Sequence, residues 1–226
     1  MLETVAWLSL IVAFLCAVGI AIDEVRRPQR MMVMNIVWPV TALYLSVFGL
    51  WAYLYFGPRM RKGAVSRDGD RSREDGPPTL AQAAIAASHC GAGCMIADIV
   101  TEFTLFGLGA TLLGSVLWSE FVWDFVAAWL LGIVFQYFTI KPMRNLSVGE
   151  GILAAIKADT LSIFSFQIGM YAWMAIVYFL IFPNPHLHPN NPVYWLMMQA
   201  GMILGFATSC PMNWWIIRKG WKEEMG

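Results

Sequence analysis

The run VAWLSLIVAFLCAVGIAI, residues 5–22, decides the fold, because it holds no charged residue over a length that can cross a bilayer. A membrane-spanning helix needs about 17 to 25 mostly apolar residues. Comparable apolar runs follow at 33–56, 80–117, 121–140, 151–182 and 193–217. Lipid accepts only helices and closed barrels, and these runs lack the alternation of membrane strands. The sequence therefore predicts an all-α fold, a polytopic integral membrane bundle of about six transmembrane helices.

The composition agrees with a membrane protein. Of the 226 residues, 58% are hydrophobic and 13% are charged, which leaves more apolar surface than a soluble domain can bury. The expected partner is therefore the lipid bilayer. No glycine-rich nucleotide loop is present, so we expect no nucleotide, and we expect no nucleic acid as a partner. The formal net charge is zero, but the charges are crowded into a few short segments, so the overall balance itself says nothing about partners. Four cysteines in apolar surroundings do not resemble the disulfide framework of a secreted domain.

The first run also has the length of a signal peptide core, which is the competing interpretation. The preceding residues MLET carry no Lys or Arg, and DEVRR follows the run in place of a small-residue cleavage site. Both features favour a retained helix.

The charges divide the chain and predict its orientation. We expect the first two transmembrane helices in residues 1–56, a polar cytoplasmic linker in 57–79, and a four-helix membrane domain in 80–226. Basic residues in the linker, after the fourth helix and in the tail share one side of a six-helix bundle: Arg59, Arg61, Lys62, Arg67, Arg71, Arg73, Lys141, Arg144, Arg218, Lys219 and Lys222. The positive-inside rule makes that side cytoplasmic, together with both termini. Arg26, Arg27 and Arg30 are the exception, because they fall on the outer side.

The stretch SHCGAGCMIADIVTEF, residues 88–103, places ionisable groups within an apolar run. Such groups are expensive in hydrocarbon and usually face a cavity, a partner or an ion. On a helix, Cys90, Cys94, Asp98 and Glu102 follow one another at i, i+4 spacing and share one face. The functional site is therefore expected on this segment.

Thiolates, imidazoles and thioethers are ligands for soft transition metals. We predict a metal site of His89, Cys90 and Cys94, with copper favoured and zinc as the second choice. Met95, Asp98 and Glu102 would surround it as supporting or proton-accepting groups. On an ideal helix His89 points away from Cys94, and unwinding at Gly91 and Gly93 would be needed to bring it in.

Further soft donors suggest a route to this site. In a six-helix bundle they lie on the outer side: Met31, Met32, Met34, His186, His188, Met198 and Met202. They would suit a path for Cu(I). The competing interpretation is that each Met is a flexible packing residue.

Other functions remain open. Cys90 and Cys94 are close enough in sequence for a membrane thiol-disulfide oxidoreductase, although three residues separate them where redox motifs usually have two. The third hypothesis is that the protein is a helical scaffold without chemistry, acting as a homo-oligomer or as a partner subunit. Haem is not expected, because the chain has only three histidines. The residues favour a transporter or metal-binding protein over an enzyme.

Several structural expectations accompany the site. The run 80–117 is too long for one straight span and is expected to begin at the membrane interface or to break at Gly91 and Gly93. Lys157 and Asp159 are read as an interfacial anchor, and Asp124 as a solvated group. Gly201 and Gly205 permit close helix packing.

Three motifs of the chain resemble the bacterial membrane-protein family catalogued as domain of unknown function forty-three ninety-six. They are HCGAGCMIADIVTE, RRPQRMMVMNIVWPVTALY and GFATSCPMNWWIIRKG. The family pattern maps onto His89, Cys90, Gly93, Cys94, Asp98 and Glu102, whereas Cys210 departs from it. The resemblance implies a polytopic fold in the bacterial cytoplasmic (inner) membrane and brings no activity with it.

Overall fold

The computed structural model describes residues 1–61, 78–144 and 147–222, without the side chains of 141–144. It is helical, and no strand occurs in these ranges, so the all-α prediction is confirmed. The helices are α1 (Leu2–Arg26), α2 (Met34–Leu45), α3 (Val47–Phe56), α4 (Leu80–Leu108), α5 (Val116–Arg144), α6 (Val148–Ile176) and α7 (Pro192–Arg218). Short 3-10 and π turns extend α3 and α6. The predicted linker residues Lys62, Arg67, Arg71 and Arg73 lie outside the described ranges.

Five helices, α1 and α4 to α7, are long and apolar enough to cross a membrane. The remaining predicted span, 33–56, is not one helix. It is divided at Ser46, whose φ of 50° reverses the chain. A Cβ built on Gly49 of α3 would lie 2.9 Å from the Cα of Ala42 of α2, so the two helices touch where the chain turns.

The two helices form an antiparallel hairpin. The rings of Trp38 and Tyr53 meet at 5.8 Å, and the Arg30 backbone N–H donates to the Met60 carbonyl at 2.8 Å. The hairpin therefore starts and finishes at the same end. At 1.5 Å per residue its arms are about 18 and 15 Å long, against a hydrocarbon core of about 30 Å. The prediction of a single second span is wrong, because neither arm is long enough to cross.

The base of the hairpin is tied to the end of α1. The Tyr53 hydroxyl donates to the Asp23 carboxylate at 2.6 Å, and Arg61 forms an ion pair with the same carboxylate. The far part of the hairpin touches α7, since the Gln199 side-chain amide donates to the Leu43 carbonyl at 2.7 Å.

Helix α4 is continuous through Gly91 and Gly93, so the expected break does not occur. The run 80–117 was too long because it contains the end of α4, the following turn and the start of α5. Gly109, with φ of 61°, ends α4, and α5 begins at Val116 rather than at residue 121. Glycine adopts this left-handed conformation without the penalty that a Cβ imposes.

The bundle is closed around α4, which contacts α2, α5, α6 and α7. Of its most apolar stretch, 78% is buried, compared with 28% for α1. Helices α6 and α7 approach closely at Gly205, where a Cβ would lie 2.7 Å from the Phe166 ring. The predicted close packing at this glycine pair is confirmed.

Candidate functional site

The polar stripe of α4 faces the interior of the bundle. Cys90, Cys94, Asp98 and Glu102 are respectively 1%, 0%, 0% and 2% exposed. Because α4 is a regular helix here, the i, i+4 spacing places two thiols and two carboxylates in one buried column. All four cysteines of the chain are free.

His89 faces a different neighbour. Its Nε2 atom lies 3.4 Å from the Thr139 hydroxyl of α5, and its ring meets Phe135 at 5.8 Å. Consecutive residues of a helix are turned by about 100° from each other, so His89 cannot share the face of Cys90 without unwinding. Within the ranges that the structure describes, no group of three or more His, Cys, Asp or Glu side chains is arranged to hold a metal ion.

The thiols lie instead among thioethers. The buried cluster that contains Cys90 and Cys94 includes five methionines: Met95, Met170, Met174, Met198 and Met202. The Tyr44 ring, from the turn of the hairpin, and the Phe166 ring of α6 belong to the same cluster. A Cβ on Gly91 would lie 2.5 Å from the Tyr44 hydroxyl, so the absence of a side chain lets the hairpin pack beside the thiols.

The seven donors of the predicted outer path do not lie together but in three parts of the bundle. Met198 and Met202 join the thiol cluster. His186 stacks on Tyr178 at 3.7 Å, and His188 packs near Phe106, in the loop between α6 and α7.

Met31, Met32 and Met34 lie at the base of the hairpin, at the end of α1. Met34 is buried in a second cluster, with Cys16, and Met32 is 83% exposed. The start of α1 lies beside the start of α7, since the Ser9 hydroxyl donates to the Gln199 side chain at 2.7 Å. These three methionines therefore lie at the end of the bundle opposite to the α6–α7 loop.

Four buried carboxyl groups lie between the thiols and the α6–α7 loop. Asp98 and Glu102 come from α4, and Glu120 and Asp124 come from α5, with 7% and 2% exposure. The Thr101 hydroxyl of α4 donates to the Asp124 carboxylate and so ties the two pairs together. The sequence suggested that Asp124 is solvated, and this is wrong: its side chain is buried and faces α4, where it accepts a hydrogen bond from the Thr101 hydroxyl.

Sequence reasoning missed Glu120. The usable signal is its spacing: Glu120 and Asp124 repeat on α5 the i, i+4 acidic pair of Asp98 and Glu102 on α4. Two such pairs on adjacent apolar helices predict facing carboxyl groups.

Among the described residues, no positively charged side chain forms an ion pair with these acids. Within the described residues, neither oxygen of Asp98 has a hydrogen-bond partner, and Oε2 of Glu102 has none. The ion pairs found in these ranges are those of Arg61 with Asp23 and of Lys222 with Asp159. A buried, unpaired carboxylate costs several kcal/mol, so this region requires bound protons or a bound cation.

A separate buried pair lies at the other end of α4. The Lys222 ammonium lies 3.7 Å from the Asp159 carboxylate, with side-chain exposures of 0% and 1%, and donates to the Asn213 side-chain oxygen at 2.9 Å. Asp159 is therefore not an interfacial anchor. Lys157, by contrast, lies over the Trp221 ring at 4.3 Å.

Two adjacent cavities adjoin the carboxyl groups. The inner one, of about 10 Å³, is lined by Glu102, Glu120 and Asp124 together with methionine side chains. The outer one, of about 40 Å³, is lined by Glu120, His186 and His188. A water molecule needs about 10 to 15 Å³ on this measure. The outer cavity therefore has room for water, and the inner one is at the lower limit for a single water molecule.

The family model described as Domain of unknown function (DUF4396) matches residues 79–222, well over half of the chain. The matched segment begins at Thr79, whose hydroxyl caps the first turn of α4, and ends at the buried Lys222. It therefore includes the thiols, the four carboxyl groups and the Lys222–Asp159 pair. No curated protein and no solved structure matches the chain.

Proposed function

The chain belongs to this family, whose description names no activity, and we propose from its own residues that it binds a soft transition metal and moves it across a membrane. Copper(I) is the first candidate and zinc(II) the second. The observation that supports the proposal is the thiol pair of Cys90 and Cys94, buried in one cluster with five methionines. Thiolate and thioether sulfur are the donors that Cu(I) prefers.

The depth of the thiols suits a transport site. Counting from Leu80 at 1.5 Å per residue, Cys90 and Cys94 lie about 15 and 21 Å along α4. This is near the middle of a hydrocarbon core of about 30 Å. Two thiolates there carry a high energetic cost unless a cation offsets their charge, so metal binding and burial support each other. His89 belongs to the proposal only as a group that reaches the thiols if α4 unwinds.

We expect replacement of both Cys90 and Cys94 by Ser to abolish stoichiometric Cu(I) binding by the protein purified in detergent. Hydroxyl groups are much poorer ligands for Cu(I) than thiolates. The affinity for Cu(I) should therefore fall by more than the drop of about 10- to 100-fold that is typical when a residue supporting a metal ligand is replaced. The measurement is copper content after anaerobic loading and dialysis against a competing chelator. The matched control is the double variant of Cys16→Ser and Cys210→Ser, which removes two thiols outside the cluster and should keep the copper.

Unchanged copper content in the Cys90/Cys94 variant would show that the two thiols are not the copper site.

A dithiol–disulfide cycle is the second candidate function, favoured by two free thiols one helical turn apart. Reversible loss of both thiols under mild oxidation, without metal, would support it instead.

The hairpin leads to a proposal on orientation. Because the hairpin returns to the end of α1, the start of α1 and the end of α7 lie on opposite faces of the membrane. Arg26, Arg27 and Arg30 then share a face with Arg59 and with the end of α7, and the exception to the positive-inside rule disappears. That face is cytoplasmic by the same rule. We retain the bacterial inner membrane as the proposed location.

We expect cysteine labelling to separate this orientation from a six-span topology. In a variant whose four native cysteines are Ala, Glu3→Cys should react with a membrane-impermeant thiol reagent in intact cells. Lys219→Cys and Arg59→Cys should react only after permeabilisation. All three positions are exposed on the protein. Reaction of Glu3→Cys and Lys219→Cys from the same side would show that the segment 33–56 crosses the membrane.

A further inference from the structure

The four buried carboxyl groups lie on two adjacent helices, and three of them line one cavity. Thr101 lies between Asp98 and Glu102 on α4, and its hydroxyl donates to Asp124 of α5. Glu102, Glu120 and Asp124 line the same inner cavity. The set therefore runs from Asp98, one turn beyond Cys94, to Glu120 at the wall of the outer cavity.

Protons are the cations that fit this set best. Two carboxylates that meet in a low-dielectric region repel each other strongly unless one of them is protonated. No Lys, Arg or His ion pair compensates the four groups in the described ranges, and no arrangement of three metal-ligating groups is present there. A proton shared between neighbouring carboxyl oxygens removes the repulsion and needs no such arrangement.

Water can reach one end of the set. The outer cavity, of about 40 Å³, has room for water and lies beneath the α6–α7 loop, beside His186 and His188. Glu120 lines both cavities, so a proton taken from water by Glu120 enters the set at this point. Asp98, whose two oxygens lack a hydrogen-bond partner in the described residues, is at the inner end.

We propose that Asp98, Glu102, Glu120 and Asp124 form a proton-binding chain that exchanges protons with water through the cavity beneath the α6–α7 loop. Each proton converts one carboxylate into a carboxylic acid, and the acid returns it to a neighbouring carboxylate or to water. The proposal does not require metal at the thiols. Where the thiols do bind metal, the chain begins one helical turn from the thiol protons that the metal displaces.

Infrared spectroscopy of the purified protein tests the binding directly, because a protonated carboxylic acid has its own C=O stretching band. We expect this band at neutral pH, and a weaker band in Glu102→Gln and in Asp124→Asn. Glu3→Gln, which removes an exposed carboxyl group, is the control and should leave the band unchanged. A wild-type spectrum without the band at neutral pH would overturn the proposal. Appearance of the band only after treatment with a chelator would assign the site to a metal cation instead.

Deuterium exchange tests the route, since the band shifts when the acid proton is replaced by deuterium. Leu187 lines the outer cavity, and Leu187→Trp should narrow the entrance and slow the shift at least several-fold. Leu180→Trp adds the same bulk at a position that is 74% exposed and should have no effect. Equal exchange rates in the two variants would show that protons do not use this cavity.

Discussion

Replacing Lys222 with Ala is expected to lower the free energy of unfolding by about 3–5 kcal/mol, because it leaves the Asp159 carboxylate buried without its cation. The ammonium lies 3.7 Å from that carboxylate and donates to Asn213, and neither side chain of the ion pair is more than 1% exposed. The loss is measured by unfolding the purified protein in mixed micelles of mild and denaturing detergent.

Two further variants identify the cause of the loss. Lys219→Ala removes an exposed lysine three residues earlier and should change stability by less than about 0.5 kcal/mol. Adding Asp159→Asn to Lys222→Ala removes the uncompensated charge and should restore part of the stability. If Lys222→Ala were as stable as Lys219→Ala, the ion pair would not be buried in the protein as it exists in micelles.

The role of Lys222 could not be predicted from the sequence. A lysine that follows a belt of Trp and basic residues is typically solvated. The structure differs because Gly220, with φ of 68°, turns the chain back after the end of α7 and directs Lys222 into the bundle. The burial of Lys222 thus depends on the backbone conformation at Gly220, and the sequence pattern does not indicate that conformation.

The long helices were predictable because each one carries its own apolar run. The hairpin was not, since residues 33–56 have the length and the apolar character of a single span, and only Ser46 marks the reversal. The charge pattern did contain the information. Arg26, Arg27 and Arg30 contradicted the orientation of a six-span bundle, and a returning hairpin removes that contradiction.

The thiol and acidic stripe of α4 was predictable from spacing, because a continuous helix places every fourth residue on one face. On α5, Asp124 was expected to be solvated, and Glu120 was not recognised because the break assumed between residues 117 and 121 put it in a loop. An error of five residues in the start of one helix therefore hid one of the four carboxyl groups.

Gly91→Ala is expected to destabilise the protein by about 1–3 kcal/mol, although Ala is the better helix former by about 0.8–1.0 kcal/mol. The new Cβ would lie 2.5 Å from the Tyr44 hydroxyl and 3.0 Å from the Phe166 ring, in a part of the bundle where both aromatic side chains are almost fully buried. The control is Gly107→Ala, on the same helix, where a Cβ meets nothing within 4 Å and the change should be stabilising. Unfolding in mixed micelles measures both.

A double-mutant cycle assigns the effect to the hairpin. Tyr44→Phe removes the hydroxyl that the new Cβ meets most closely, so the loss caused by Gly91→Ala should shrink by about 0.5–3 kcal/mol in that variant. If Gly91→Ala costs the same in both backgrounds, Tyr44 does not pack against α4 as described. If the cycle shows coupling, the turn of the α2–α3 hairpin contacts the helix that carries Cys90. Any movement of the hairpin would then change the surroundings of the thiol site, and copper content measured in Gly91→Ala would report that link.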